Sequence, residues 1–231
     1  MNSLFPVICL IVFFIPGYSQ NYYSEFSRHF QSNDTLKSRE VLENWEKASP
    51  KDAELYTCWF NYYFKTAKKD YLTITQDTPE GEAFEISDTT GKPVGYMVGQ
   101  VYYDSLTLQK GLDKIDEGIA LFPDRLDMRF GKTYAYGQVK YWDQFRDEII
   151  KTVRYSGENN NEWTWTFNVK KEGGSEFFLK ALQDYQVQIY NTGKNELLPY
   201  MREVAEEVLR LYPEHVESLT NLAITYLLED E

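Results

Sequence analysis

The stretch EVLRLYPEHVESLTNLAITYLL at residues 207–228 decides how the rest of the chain is read. An amphipathic run ends near Leu211, Pro213 follows with Glu214 beside it, and a second amphipathic run begins at once. Proline suits the first turn of a helix or the turn just before it, and an adjacent carboxylate favours a helix N-terminus. The same layout recurs at residues 45–64 (WEKASPKDAELYTCWFNYYF, around Pro50) and at 115–136 (IDEGIALFPDRLDMRFGKTYAY, around Pro123). Each of the three prolines is therefore predicted to mark a junction between one helix and the next.

Side chains counted from each proline share a pattern. Positions 6, 9, 10 and 13 are Leu219, Leu222, Ala223 and Tyr226 after Pro213, and Tyr56, Trp59, Phe60 and Tyr63 after Pro50. After Pro123 they are Arg129, Lys132, Thr133 and Tyr136, a departure that Phe130, Gly131 and Tyr134 explain as a shifted helix. Upstream of the prolines, Gly111, Ile115, Gly118 and Leu121, then Met201, Ala205, Val208 and Leu211, alternate small and apolar groups on one face, and Leu42, Trp45 and Ala48 do the same before Pro50. This layout resembles the tetratricopeptide repeat, a helix pair of about 34 residues per unit. The resemblance implies an all-α fold of antiparallel helix-pair repeats, a tetratricopeptide-like α-solenoid of three degenerate units over residues 20–231.

The spacing is irregular. Pro50 and Pro123 lie 73 residues apart and Pro123 and Pro213 lie 90 apart, where two regular units take about 68. The first excess falls at about 71–100, where LTIT, AFEIS and DTTGKPVGYMV show period-two stretches around a Thr-Gly-Lys-Pro turn. That pattern predicts a β-hairpin insertion. The second falls at about 157–175, a polar stretch around Trp163 and Trp165 that is predicted to be a loop before a helix at 176–190. The last repeat reads as truncated, since Glu229-Asp230-Glu231 stands where the turn to its second helix belongs.

At the other end, residues 4–17 (LFPVICLIVFFIPG) are apolar but shorter than the roughly 20 residues a membrane span needs, and Gly17 and Ser19 are small. Residues 1–19 are thus expected to be a signal peptide cut after Ser19, with the remainder exported to the periplasm, the medium or the cell surface and carrying no membrane span. Cys58 is then the one cysteine left, so stability comes from packing rather than from an internal disulfide.

Composition narrows function. Hydrophobic residues make up 42%, enough for a real core, which excludes wholesale disorder. Lys and Arg total 24 against 36 Asp and Glu, a net charge of −12 that argues against nucleic acid or an anionic membrane surface as partner. Aromatics reach 16% while histidines number 2, a balance suited to contact surfaces rather than acid–base chemistry. Gly131-Lys132-Thr133 ends like a phosphate-binding loop, yet the glycine required five residues before Gly131 is Leu126. His29 and His215 have no metal-ligand spacing, and the acidic residues around Asp116 and Glu206 sit at helical spacing as solvated faces. Asp34 or Thr35 is expected to cap the helix that begins near Leu36. No enzyme activity, cofactor or metal is expected.

In the tetratricopeptide family the first helices of successive units line a groove that holds a peptide. The resemblance places Glu54, Thr57, Asn61 and Lys65 on that groove, then Asp127, Phe130, Tyr134 and Gln138, then Glu217, Thr220 and Ile224. Asn61 is similar to the asparagine that grips a peptide backbone in the family. Thr57 stands where a carboxylate-clamping lysine would be, which argues against a C-terminal carboxylate ligand. The expected function is an exported, non-catalytic scaffold that binds a protein or peptide in the groove. The alternative is a carbohydrate-binding helical-repeat protein that stacks glycans on exposed Trp163 and Trp165, with Tyr22, Tyr23, Tyr102 and Tyr103 elsewhere.

Overall fold

The computed structural model describes residues 16–79 and 81–229, with side chains from Gln20 onward. The leader expected over residues 1–19 lies mostly outside this range, as do the last two residues of the turn expected at 229–231. Among the described residues the chain is mainly helical, with two small antiparallel sheets. The helices are α1 (Pro16–Gln31), α2 (Thr35–Ala48), α3 (Ala53–Ala67), α4 (Ser105–Leu121), α5 (Leu126–Gln138), α6 (Trp142–Glu158), α7 (Gly174–Tyr190), α8 (Leu198–Leu211) and α9 (Val216–Glu229). No helix among the described residues is long and apolar enough to cross a membrane.

Local chemistry sets the boundaries. Asp34, Asp52 and Asp104 precede α2, α3 and α4, and each side chain accepts a backbone N–H of the first turn at 2.9–3.1 Å. Each junction proline lies between two helices: α2 and α3, α4 and α5, α8 and α9. The following helix starts three residues past the proline in all three cases. Helix α5 is thus not shifted, contrary to the expectation from its Arg and Lys. Arg129, at position 6, donates to the Pro123 carbonyl at 3.0 Å, just as Tyr56 donates to the Pro50 carbonyl at 3.0 Å. Lys132, at position 9, is buried between Glu148 at 3.0 Å and Asp116 at 2.5 Å. Burial alone would lower the Lys132 pKa, but those two carboxylates outweigh it and hold the ammonium above its ordinary value. Position is preserved while chemistry changes, because each buried cation has found partners.

Helices α3 and α5 bury residues on more than one face, as a helix between two layers must. Leu55, Cys58 and Trp59 of α3 join Phe26, Leu42 and Trp45 in one cluster. Phe60 and Ala67 of α3 join Leu112, Ile115 and Met128 in a second. From α5, Leu126 and Phe130 enter a third cluster with Phe145, Ile149, Trp163, Phe178, Met201 and Val204. Helices α3 and α4 approach closely at Gly118, where a Cβ would come within 2.9 Å of Tyr56 Cβ. The last helix turns Ser218, Asn221 and Thr225 inward and leaves Leu219, Tyr226 and Leu227 exposed.

The first insertion is more than a hairpin. Three antiparallel strands, β1 (Lys68–Thr75), β2 (Phe84–Ser87) and β3 (Pro93–Tyr103), are ordered β1-β3-β2 between α3 and α4. The β2–β3 turn is the one the sequence marks. Asp88 Oδ1 accepts the Thr90 and Lys92 N–H groups, and Gly91 takes φ +82°, which a side chain would resist. Strand β1 then pairs with β3 from Lys68↔Tyr103 to Thr75↔Tyr96. The second insertion is also structured. Gly157 belongs to α6, and the segment expected as a loop forms β4 (Thr164–Trp165), a 3-10 turn (Thr166–Asn168) and β5 (Val169–Lys170). The Thr164 N–H donates to the Asp124 carbonyl at 2.9 Å, which fastens this segment to the start of α5.

Candidate functional site

A cavity of about 400 Å³ opens where α1, α3 and α5 meet the 3-10 turn. Spacing on two helices builds its walls. Tyr23, Phe26, Ser27, Phe30 and Gln31 recur every three or four residues on one side of α1, while Glu54, Thr57, Cys58 and Asn61 do so on α3. Phe60, Ile115 and Gly131 supply more apolar surface, and Asp127 and Thr166 close the floor.

A buried ionic clasp lies at that floor. Arg125, 1% exposed, precedes α5 and reaches both Glu54 of α3 and Asp127 in the first turn of α5. All five guanidinium N–H groups are used. Nε and one Nη2 donor go to Asp127 at 2.8 Å each, and the second Nη2 donor goes to Glu54 Oε2 at 3.2 Å. The Nη1 donors go to Glu54 Oε1 at 2.6 Å and to Asn168 Oδ1 at 3.2 Å. Glu54 Oε1 also accepts the Phe167 N–H at 2.6 Å. Burial opposes the guanidinium charge, but the two carboxylates more than compensate and raise the Arg125 pKa further. The clasp ties α3, α5 and the 3-10 turn into one rigid base. Phe167, at φ +59°, sets its ring edge against Tyr23 of α1, so the same turn also braces the opposite wall.

The groove residues expected from the sequence divide into two sets. Glu54, Thr57, Asn61 and Asp127 line the cavity together. Lys65, one turn beyond Asn61, donates from Nζ to the Phe30 carbonyl at 2.6 Å and lies 4.2 Å from the Phe30 ring centre, so it buttresses α1 rather than facing a ligand. Phe130 is not a groove residue: it is buried, stacked on Tyr185 and Phe178, because its position on α5 faces α7. Tyr134 is half exposed and set edge-on to Phe64, and Gln138 is exposed at the end of α5; neither borders the cavity. Thr220 is exposed and Ile224 half-buried on α9, away from it as well.

The glycan platform is overturned for Trp163. Its indole is fully buried against Tyr155 and Phe178, where a sugar has no access. Trp165 is half-buried, edge-on to Phe177, and Lys171 Nζ lies 5.2 Å from its ring centre. Both indoles anchor the segment to the core. Of the tyrosines, Tyr22 stacks on Trp45, Tyr23 lines the cavity, Tyr103 stacks on Phe64, and Tyr102 is exposed beside Tyr71.

Sequence reasoning missed Arg125 and the α1 wall. Arg125 and Glu54 are 71 residues apart, and nothing local marks the pair. The aromatic spacing Tyr23, Phe26, Phe30 was a usable signal for a helix with one buried side. Among the described residues no group of His, Cys, Asp and Glu is arranged to hold a metal ion. Comparison with protein-family models, with curated proteins and with solved structures finds no match for this chain.

Proposed function

We propose that this chain is an exported, non-catalytic binding module of tetratricopeptide-like helix pairs, and that the cleft between α1, α3 and α5 takes an extended peptide segment of a partner protein. The observation that carries the reading is the cavity itself. Its volume of about 400 Å³ falls in the range of ligand pockets, and it joins an aromatic wall to a few convergent polar groups. Asn61 and Gln31 supply amides at the wall that can both donate to and accept from a peptide backbone, while Phe26, Phe30 and Phe60 offer an apolar seat for side chains. The repeat reading is supported by the proline junctions and by the matching bonds of Tyr56 and Arg129 to their proline carbonyls. Export rests on the apolar run at residues 4–17, and a protein partner is favoured over nucleic acid by the net charge of −12.

The test is selection of phage-displayed random peptides on the immobilised protein and on Thr57→Trp, whose indole fills the cleft. Circular dichroism establishes that both are folded. Peptides that enrich on the wild type and not on Thr57→Trp support the reading. Peptides that enrich equally on both, or none on either, refute it.

A further inference from the structure

The chemistry of the cleft floor specifies more than a peptide. Two carboxylates, Glu54 and Asp127, share one guanidinium, so the floor keeps an uncompensated negative charge. Arg125 has no N–H left to offer an anionic ligand, and Lys65 is engaged by the Phe30 carbonyl. Glu54 Oε2 and Asp127 Oδ1 each accept a single hydrogen bond, although a carboxylate oxygen has two lone pairs. Glu54, 2% exposed, and Asp127 both line the cavity, so the floor's negative charge borders that space. Tyr23, Phe26, Phe30 and Phe60 line the same cavity, and ring faces attract cations.

We infer that the cleft recognises a cationic side chain, the lysine or arginine of a partner peptide, with its aliphatic stem against the aromatic wall and its charged head at Glu54 and Asp127. This rests on the peptide-cleft reading above. Two groups in the walls register the same negative field. Burial, then Glu54, pushes the Cys58 thiol well above its ordinary range. Burial, then Cys58 and Glu54, raises the Tyr23 phenol. The chain's overall negative charge adds long-range attraction for a basic segment.

Calorimetric titration with three acetylated, amidated heptapeptides, Ser-Leu-Ser-Xaa-Ser-Leu-Ser with Xaa as lysine, norleucine or glutamate, tests the inference on the wild type, Thr57→Trp and Asn61→Lys. Norleucine keeps the stem of lysine and lacks the charge. The lysine peptide is expected to bind about tenfold more tightly than the norleucine peptide, with glutamate weakest. Thr57→Trp abolishes binding, and Asn61→Lys, an exposed change that leaves the clasp intact but adds a cation at the wall, weakens the lysine peptide more than the norleucine peptide. Equal affinity for lysine and norleucine, both lost in Thr57→Trp, overturns the cation preference and leaves the cleft reading standing. Absence of binding by every peptide, or binding indifferent to Thr57→Trp, overturns the cleft reading and the inference with it.

Discussion

Replacing Arg125 by methionine removes the central member of the buried clasp while keeping much of its volume. Five N–H donors at 2.6–3.2 Å are lost, four of them directed at carboxylates. Glu54 retains the Phe167 N–H, but its charge, 2% exposed, has no counter-ion left at the floor. Breaking a buried pair from one side costs about 3–5 kcal/mol, because the remaining charge stays desolvated. A small domain has only about 5–15 kcal/mol to lose. With a urea dependence of about 2 kcal/mol per molar, the midpoint should fall by about 2 M. Urea unfolding followed by circular dichroism measures this directly. The triple variant Glu54→Gln, Arg125→Met, Asp127→Asn removes all three charges and should recover more than half of the loss. A single-variant loss under about 1 kcal/mol, or a triple variant as unstable as the single one, would show that the buried charges do not hold this base together.

Further outcomes follow from particular contacts. Gly118→Val places a branched side chain where even a Cβ would sit 2.9 Å from Tyr56 Cβ and 3.1 Å from Met128 Sδ; overpacking should cost about 2 kcal/mol of stability in urea unfolding. Gly99→Ala in β3 meets nothing within 4 Å and should stay within about 0.5 kcal/mol of the wild type. Trp163→Ala empties a fully buried indole site and should cost about 3–5 kcal/mol; a near-neutral result would restore the exposed-indole view. Bonds from Thr107 hold the Asp104 carboxyl below its ordinary range, and bonds from Arg154 and Arg210 do the same for Glu207. Lowered folded values stabilise the protein above the unfolded carboxylate range of about 4 and cease to do so as pH falls through the folded values. Thermal melts from pH 6 to pH 3 should show a loss of stability that is smaller in Asp104→Asn. Burial first, then Asp184, pushes the Tyr185 phenol up to about 12. Because the folded value is raised, its contribution is complete below about pH 10 and fades as pH rises through 12; alkaline melts on Tyr185→Phe should lack that component.

The helical junctions were legible because they are written in local chemistry. A proline with a neighbouring carboxylate ends one helix and starts the next within a few residues, and Asp34 caps α2 through Lys37 three positions on. The turn at Asp88–Lys92 was legible for the same reason. The period of LTIT in β1 was legible too, but its pairing with β3 was not, because β2 intervenes and register over that distance has no local signature. Cations on the inner face of α5 read as a change of helix phase, whereas tertiary partners supplied by α4 and α6 neutralise Lys132 in place. At the cleft, Glu54, Thr57, Asn61 and Asp127 were expected from the resemblance to the tetratricopeptide helix pair. The α1 wall and the Arg125 clasp were not, since they depend on which segments meet in space. Trp163 was open to both readings in sequence, and only its packing against Phe178 decides for the core.

Backbone amide NMR of the labelled protein, titrated with the lysine heptapeptide, shows whether the cleft is where a partner binds. Binding in the cleft shifts Thr57, Asn61, Gly131 and Thr166, which border one cavity, and leaves Thr220 and Ile224 on α9 unmoved. Shifts confined to α9 or to the exposed sheet, with the cleft amides unmoved, would contradict it.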